Sequence, residues 1–283
     1  QAIEKGAPIW LSSKPISAVI EEGSVNLRIR TPKGVKDVRC RLLCGADGAH
    51  SWVRRYFKMG RPKELMIGFQ VEVTGYRGQE GRLDMYTGSR IAPGFFAWAI
   101  PSGETTRIGT WSKPGLMGGE SCEQLLDRLR EEPLWRNRFS GCKEIGRFCG
   151  PIPSGMVKRP MIGRVALFGD AAGLCKPTTG GGIGPGFAQV DLVTPHLLDA
   201  LKCDDLSDGR MSEIAGFMGP MRRSQRRSKA LRDAFLTEST DSELDDIFAV
   251  WARPEVIELI NDIGEIEHPI PLGIKMLREI PEF

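Results

Sequence analysis

An α/β fold with an antiparallel sheet inserted into it is the class this sequence predicts, and three observations predict it. Twice an apolar run ends in a Gly-Asp corner: residues 35–44 lead into Gly45-Ala46-Asp47-Gly48, and residues 165–168 lead into Gly169-Asp170. The second run is short, apolar and bounded by turn residues, which is the pattern of a buried parallel strand. Between the corners, residues 65–111 carry four β-rich runs separated by turn residues, the pattern of an antiparallel sheet.

The chain has 283 residues, room for one large domain or two ordinary ones. Hydrophobic residues make up 41% and charged residues 27%, the balance of a folded globular protein rather than a disordered one. A net charge of +3 is too even to argue for a nucleic-acid partner. No apolar run approaches the ~18 residues of a membrane span. The start, Gln1-Ala-Ile-Glu-Lys-Gly, has neither the basic region nor the apolar core of a signal peptide, and it lacks an initiator Met. The expectation is a cytoplasmic chain that begins part-way into a longer protein. Seven cysteines, an odd count at irregular spacing, read as reduced thiols. His50, His196 and His268 are scattered, so neither a metal site nor a His-based triad is expected.

In chain order, residues 1–13 read as a helix end followed by a strand at Ala7-Pro-Ile-Trp-Leu11. Residues 16–22 and 24–31 alternate as two strands around Glu22-Gly23, and 35–44 form a further strand. After the first corner, Ser51 is placed to cap a short helix. Strands are expected at 65–73, 82–87, 95–100 and 106–111, with Pro101 ending the third, then a helix at 120–132 and a strand at 144–148. Gly150-Pro-Ile-Pro-Ser-Gly155 reads as a loop. A helical pattern follows from about Ile183 to Leu201, and residues 205–283 are helical with Pro254, Pro269 and Pro271 as punctuation. The expected domains are a core in two segments, 1–60 and 151–205, a sheet domain at 61–150 and a helical region at 206–283.

Gly180-Gly181-Gly182, ahead of that helix, lets backbone N–H groups approach a ligand, and the helix N-terminus adds partial positive charge. With a carboxylate at a strand end, such a loop suits a polyhydroxylated, partly anionic cofactor; a flavin on its ribityl chain fits. The plain alternative is a flexible turn.

At these residues a family can be named. Gly45-Ala-Asp47-Gly48-Ala-His-Ser51-Trp-Val53-Arg54 and Gly169-Asp170-Ala171-Ala172-Gly173 resemble two fingerprints of p-hydroxybenzoate hydroxylase-type flavoproteins. Lys176-Pro-Thr-Thr-Gly-Gly-Gly-Ile183 resembles the geranylgeranyl reductase family within them. Pro93-Gly-Phe-Phe96-Ala-Trp98-Ala-Ile100-Pro101 is similar to that family's Pro-x-x-Tyr-x-Trp-x-Phe-Pro. The resemblance implies a Rossmann-like FAD-binding core. The family opens with a G-x-G-x-x-G βαβ unit for the ADP half of FAD, which this sequence does not carry. The expectation is therefore an N-terminally truncated core, short by roughly a hundred residues. Phe96 stands where the family has Tyr, and Ile100 where it has Phe. The latter also approaches the Trp-x-Trp-x-Ile-Pro of flavin halogenases.

The resemblance implies FAD-dependent reduction of C=C bonds in geranylgeranyl chains. FAD would be bound by Asp47, Gly48, Gly169, Asp170, Gly180, Gly181, Gly182 and Ile183, with Asp47 read equally as holding its own loop. Phe95, Phe96, Trp98 and Pro101 would line the substrate, the alternative being ordinary sheet core. The partners are a prenyl lipid or prenylated small molecule and a reduced donor, NAD(P)H or ferredoxin-like. No residue is marked as the catalytic acid; Cys175 reads better as a small buried residue. Six cations at 222–232 read as a solvated helix face balanced by acidic residues 238–246, or as peripheral membrane contact. The competing functions are a flavin monooxygenase or halogenase on the same fold, and an inactive remnant.

Overall fold

The computed structural model describes residues 3–79, 81–264, 272, 274–276 and 278. Pro269 and Pro271 lie outside them. The chain forms two compact units: residues 1–62, 156–174 and 185–222 make the first, and residues 63–155, 175–184 and 223–283 the second.

The first unit opens with an antiparallel meander of β1 (Lys14–Glu21), β2 (Ser24–Thr31) and β3 (Gly34–Cys40), in that order. Glu21 pairs with Ser24 across Glu22-Gly23. Gly23 has φ +74°, the left-handed backbone that two-residue hairpin turns demand. Ala18, Val25 and Leu27 bury one face against Leu43, Trp52 and Phe57. The strand expected at residues 7–11 does not form, and Ile9, Trp10 and Leu11 are exposed. Pro8 withholds a ladder donor there. The single strand expected at 35–44 is two. β3 ends at Cys40, and β4 (Leu43–Gly45) joins a different sheet.

That second sheet has the order β10 (Met161–Ile162), β11 (Val165–Leu167), β4. β11 runs parallel to β4, with Val165 opposite Leu43 and Leu167 opposite Gly45. All three β11 residues are wholly buried, as the uninterrupted apolar run demands. A short helix, α1 (Trp52–Tyr56), follows β4 with Ser51 as its N-cap. A long helix, α4 (Ile183–Lys202), buries Gln189, Val193, Leu197 and Ala200, one stripe at helical spacing. α5 (Asp208–Phe217), capped by Ser207, supplies Met211 and Ile214 to the same core.

In the second unit, β5 (Glu64–Thr74), β6 (Asp84–Tyr86), β7 (Ala97–Ser102), β8 (Thr105–Ser112) and β9 (Lys143–Ser154) form one antiparallel sheet. Its order is β6-β7-β8-β5-β9. α2 (Cys122–Glu131), with a Ser121–Gln124 capping box, packs Leu125, Leu126 and Leu129 onto Val71, Val73 and Ile108; a one-turn helix, α3 (Arg136–Phe139), follows. Gly150 to Gly155 is not the expected loop, because β9 runs through it to Ser154 and pairs with β5 over its whole length. Phe95 and Phe96 precede β7 rather than open it, and Pro101 does not end it. Pro101 lies beyond Ala99, where the pairing with β6 stops, so the proline sits on an edge that needs no further donor.

The C-terminal helices are α6 (Gly219–Arg232), α7 (Asp241–Trp251) and α8 (Pro254–Ile263), with Pro254 in the first turn of α8. A π-helical turn, Asp233–Thr237, links α6 to α7. Within α6, residues 219–222 belong to the first unit, and residues from 223 onward belong to the second.

Gly109 faces Trp98 across β7 and β8, and the indole lies over it. A Cβ at Gly109 would run into that ring and come within 2.8 Å of the Phe69 carbonyl oxygen. Gly109→Val is expected to lower stability by about 1–3 kcal/mol and to shift tryptophan emission. Urea unfolding checks this, and an unchanged midpoint would contradict the packing.

Candidate functional site

In the first unit the two Gly-Asp corners follow neighbouring parallel strands. Asp47 turns to its own loop: its Oδ2 accepts from the backbone N–H of Trp52 (2.6 Å) and Val53 (3.1 Å), at the start of α1. A carboxylate suits that helix N-terminus. Gly48 supplies the positive φ that follows. Ser51 accepts from Arg54 N–H.

Arg54 joins the corners. Its buried guanidinium donates to the carbonyl of Ala171 (2.8 Å) in the second fingerprint and to that of Ala49 (2.5 Å) in the first. Burial pushes its pKa down, the Asp47 carboxylate works against that, and Arg55 adds to it. Gly169 and Gly173 have φ of +55° and +79° and flank the turn that carries half-buried Asp170. Gln189, wholly buried, closes the turn from α4. Its Oε1 accepts from Gly169 N–H (2.9 Å) and its Nε2 donates to the Leu167 carbonyl (2.8 Å). A Cβ at Gly186 would stand 3.8 Å from Gly169 Cα, so the first turns of α4 pass close to the corner.

In the second unit the glycine triplet is folded by its own backbone: Lys176 N–H donates to Gly181, and Gly180 N–H to Lys176, both at 2.9 Å. Gly180 has φ +73°, and a Cβ there would meet the Trp111 ring at 3.1 Å. Trp111 is 1% exposed and stacks edge-on against Phe95 and Phe96. Ile183, the first residue of α4, is exposed.

Just before the triplet, Thr178 and Thr179 reach a cavity of about 310 Å³. Its remaining lining is almost wholly apolar: Met85 and Phe96 from the sheet side, Leu231, Phe235 and Leu236 from α6 and the turn after it, and Leu244, Ile247, Phe248 and Trp251 from α7. Of the four residues expected to line a substrate, only Phe96 is among the residues that line this cavity. Phe95 is buried beneath it against Trp111, Trp98 is half-buried and donates to Gln70 Oε1 (3.2 Å), and Pro101 is exposed.

Arg232 ends α6 at the cavity wall with no exposed side-chain surface. It pairs with Glu64 (3.2 Å) and Asp233 (2.5 Å), donates to the Pro177 carbonyl (3.1 Å) and lies 4.9 Å from the Phe95 ring centre. Lys113 and Lys229 complete the cluster around Glu64 and Asp233. Burial pushes both carboxyl groups up, but the bonds from Arg232 and Lys113 to Glu64, and from Lys229 and Arg232 to Asp233, hold both below the ordinary range. The basic run is therefore not uniformly a solvated face. Arg222 also turns inward, to the carbonyls of Met156 (3.1 Å) and Val157 (2.9 Å).

The sequence reading missed Gln189, the Arg232 cluster and the C-terminal cavity wall. A signal existed for two of them. Gln189 is a polar residue in an apolar stripe, and Arg222, Lys229 and Arg232 share one face of α6 at helical spacing.

No protein-family model matches the chain. It is 32% identical over 191 residues to digeranylgeranylglycerophospholipid reductase 2 of Methanothermobacter thermautotrophicus, covering 65% of this chain and 47% of the relative. Across the first curated relatives the chain spans between about a half and two thirds of their length. A geranylgeranyl bacteriochlorophyll reductase-like structure from Thermoplasma acidophilum superposes with a TM-score of 0.82 at 22% identity, covering 99% of this chain and 70% of that one. A flavin-dependent halogenase matches with a TM-score of 0.67 at 14% identity, over 99% of this chain and 57% of that one. The fold class is that of these flavoproteins. The resemblance to geranylgeranyl reductases, carried by residues 176–183 and 93–101, is borne out by relatives that bear that name.

Arg54→Met removes two charge-assisted bonds and is expected to lower stability by roughly 1.5–3 kcal/mol, read from urea unfolding; an unchanged midpoint would mean that water replaces the guanidinium. The Glu64 carboxyl sits below its ordinary value of 4.5 when folded. The stability it contributes is present above that value and is lost as pH falls through the folded one. Glu64→Gln should therefore flatten the loss of stability below about pH 4.5. It should also cost up to about 3 kcal/mol at neutral pH, through an under-paired Arg232. Parallel acid-unfolding curves of the two proteins would contradict this.

Proposed function

We propose that this chain carries the flavin-contacting and prenyl-binding parts of a flavin-dependent reductase of C=C bonds in the geranylgeranyl chains of lipids. The cavity carries the reading. It is apolar, of a volume suited to a small ligand, and polar at Thr87, Arg232 and the two threonines, Thr178 and Thr179, that precede the glycine triplet. An isoprenoid segment has no polar handle, so burial against aliphatic and aromatic walls is how a protein holds it.

A flavin fits the residues present. At Gly180 the backbone is left-handed and a Cβ would press on the Trp111 ring, so a side chain there is strained and glycine leaves the loop backbone unshielded on that side. When bound, the flavin, as FAD, supplies hydride to the alkene. Asp170 would accept hydrogen bonds from ribityl hydroxyls, and Gly169 and Gly48 shape the corners around it. Asp47 acts by fixing α1 and its loop. Backbone N–H groups of Gly181, Gly182 and Ile183, with the α4 dipole behind them, would favour negative charge on a bound flavin. Phe96 and the α6–α7 residues exclude water from the alkene. Among the described lining residues none is a carboxylic acid, histidine or cysteine, so the proton is not assigned to the cavity wall. A reduced donor, NAD(P)H or ferredoxin-like, supplies the electrons. The protein works in the cytoplasm at the edge of a membrane; no helix among the described residues is long and apolar enough to cross one.

The oxidative reading drew on Ile100. That residue is exposed, on β7 beyond the pairing with β6, and does not line the cavity, so its identity bears on neither chemistry.

In the natural protein, Asp170→Ala is expected to weaken FAD binding roughly ten- to hundredfold, read by fluorescence titration. Ile247→Trp fills the cavity; it should keep FAD and abolish anaerobic reoxidation of the reduced protein by a geranylgeranyl lipid. Full reoxidation by Ile247→Trp would remove the cavity from the substrate path. Oxygen consumption coupled to product formation in the wild type would replace reduction with oxidation.

A further inference from the structure

The six cations of residues 222–232 divide into two sets. Arg222, Lys229 and Arg232 turn inward to carbonyls and carboxylates. Arg223, Arg226 and Arg227 are exposed and make no ion pair among the described residues. Their spacing, i, i+3 and i+4, puts them on one ridge of α6. α6 contains no acidic residue, so nothing on the helix itself balances them. The acidic residues at 238–246, expected to offset the run, serve elsewhere in part: Asp241 binds Ser89, and Glu243 closes the α7 capping box.

The ridge leads to the apolar cavity. Arg227 stands one turn before Leu231, and Leu231 lines the cavity. Two further lining residues, Met85 and Phe248, are 57% and 41% exposed, so the opening has an apolar rim. Three unpaired cations beside such a rim match the charge and the apolar depth of one surface, an anionic phospholipid bilayer.

We infer that the Arg223–Arg226–Arg227 ridge docks this protein on an anionic membrane surface, with the mouth of the cavity turned toward the lipid. The orientation of the mouth rests on the prenyl-reductase reading; the docking does not. Each cation near such a surface is worth about 1 kcal/mol, so losing three should weaken partitioning roughly a hundredfold.

The test is co-sedimentation of the full chain with vesicles of phosphatidylcholine alone and with phosphatidylserine added, neither containing prenyl lipid. Binding to the anionic vesicles only, weakening with salt, and lost in R223Q/R226Q/R227Q but kept in the charge-matched K5Q/K33Q/R61Q, is the expected result. Equal binding to both vesicles, no binding to either, or equal loss in the two variants would overturn the proposal. So would equal salt-sensitive binding of the ridge to single-stranded RNA, which would make it a general polyanion site. Because no prenyl substrate is present, a negative result leaves the reductase reading standing. Conversely, failure of lipid reoxidation leaves the docking standing.

Discussion

A guanidinium taken wholly out of water must be paired on every side, and Arg232 imposes that requirement on the second unit. It is met by a carboxylate from the start of β5, a carboxylate from the next residue, the carbonyl of Pro177 and the face of Phe95. Pairing of this kind gains little over an apolar core, yet breaking it is expensive. Its effect is geometric. It fastens the end of α6 both to the sheet and to the loop that carries Thr178 and Thr179, so one wall of the cavity and its polar end are held together. Three cations surround two carboxylates there, which keeps both carboxylates ionised below their ordinary range.

The first unit meets a smaller form of the same demand at its two corners. A strand that stops in a buried corner leaves backbone donors and acceptors without a ladder partner. Gln189 satisfies one of each at the end of β11, and Arg54 satisfies two carbonyls, one in each corner. Asp47 does the same for the first turn of α1. Polar side chains thus substitute for missing sheet neighbours, and they fix the turn that carries Asp170. If Asp170 acts as the proposed ribityl acceptor, such presetting would leave little freedom to lose on binding.

An apolar cavity beside bare glycine backbone separates two tasks. In the proposed reductase, burial alone would retain a chain that offers no hydrogen bonds, while fixed dipoles would serve the part of the reaction that carries charge. The proposed docking ridge on the outward half of α6 would add a third task, bringing the apolar site to a lipid surface, without using any group that pairs within the fold.

Much of this was legible in the sequence, because it is local. The residue limits of β2, the cap at Ser51, the two corners, the α4 span and the described C-terminal helices follow from turn chemistry, side-chain period and capping, all of which act within a few residues. What the tertiary structure alone decided depends on partners far along the chain. Gly150 to Ser154 is a strand only because β5 offers its edge, and residues 7–11 are not one because nothing pairs with them. Phe96 and not Trp98 faces the cavity because Gly109 lets the indole lie across β8. The basic run divides into a paired and an exposed set, and its one buried member, Arg232, takes a counter-charge from Glu64, more than 160 residues before it. Helical spacing puts residues on one face; only packing determines which face meets a carboxylate and which meets water.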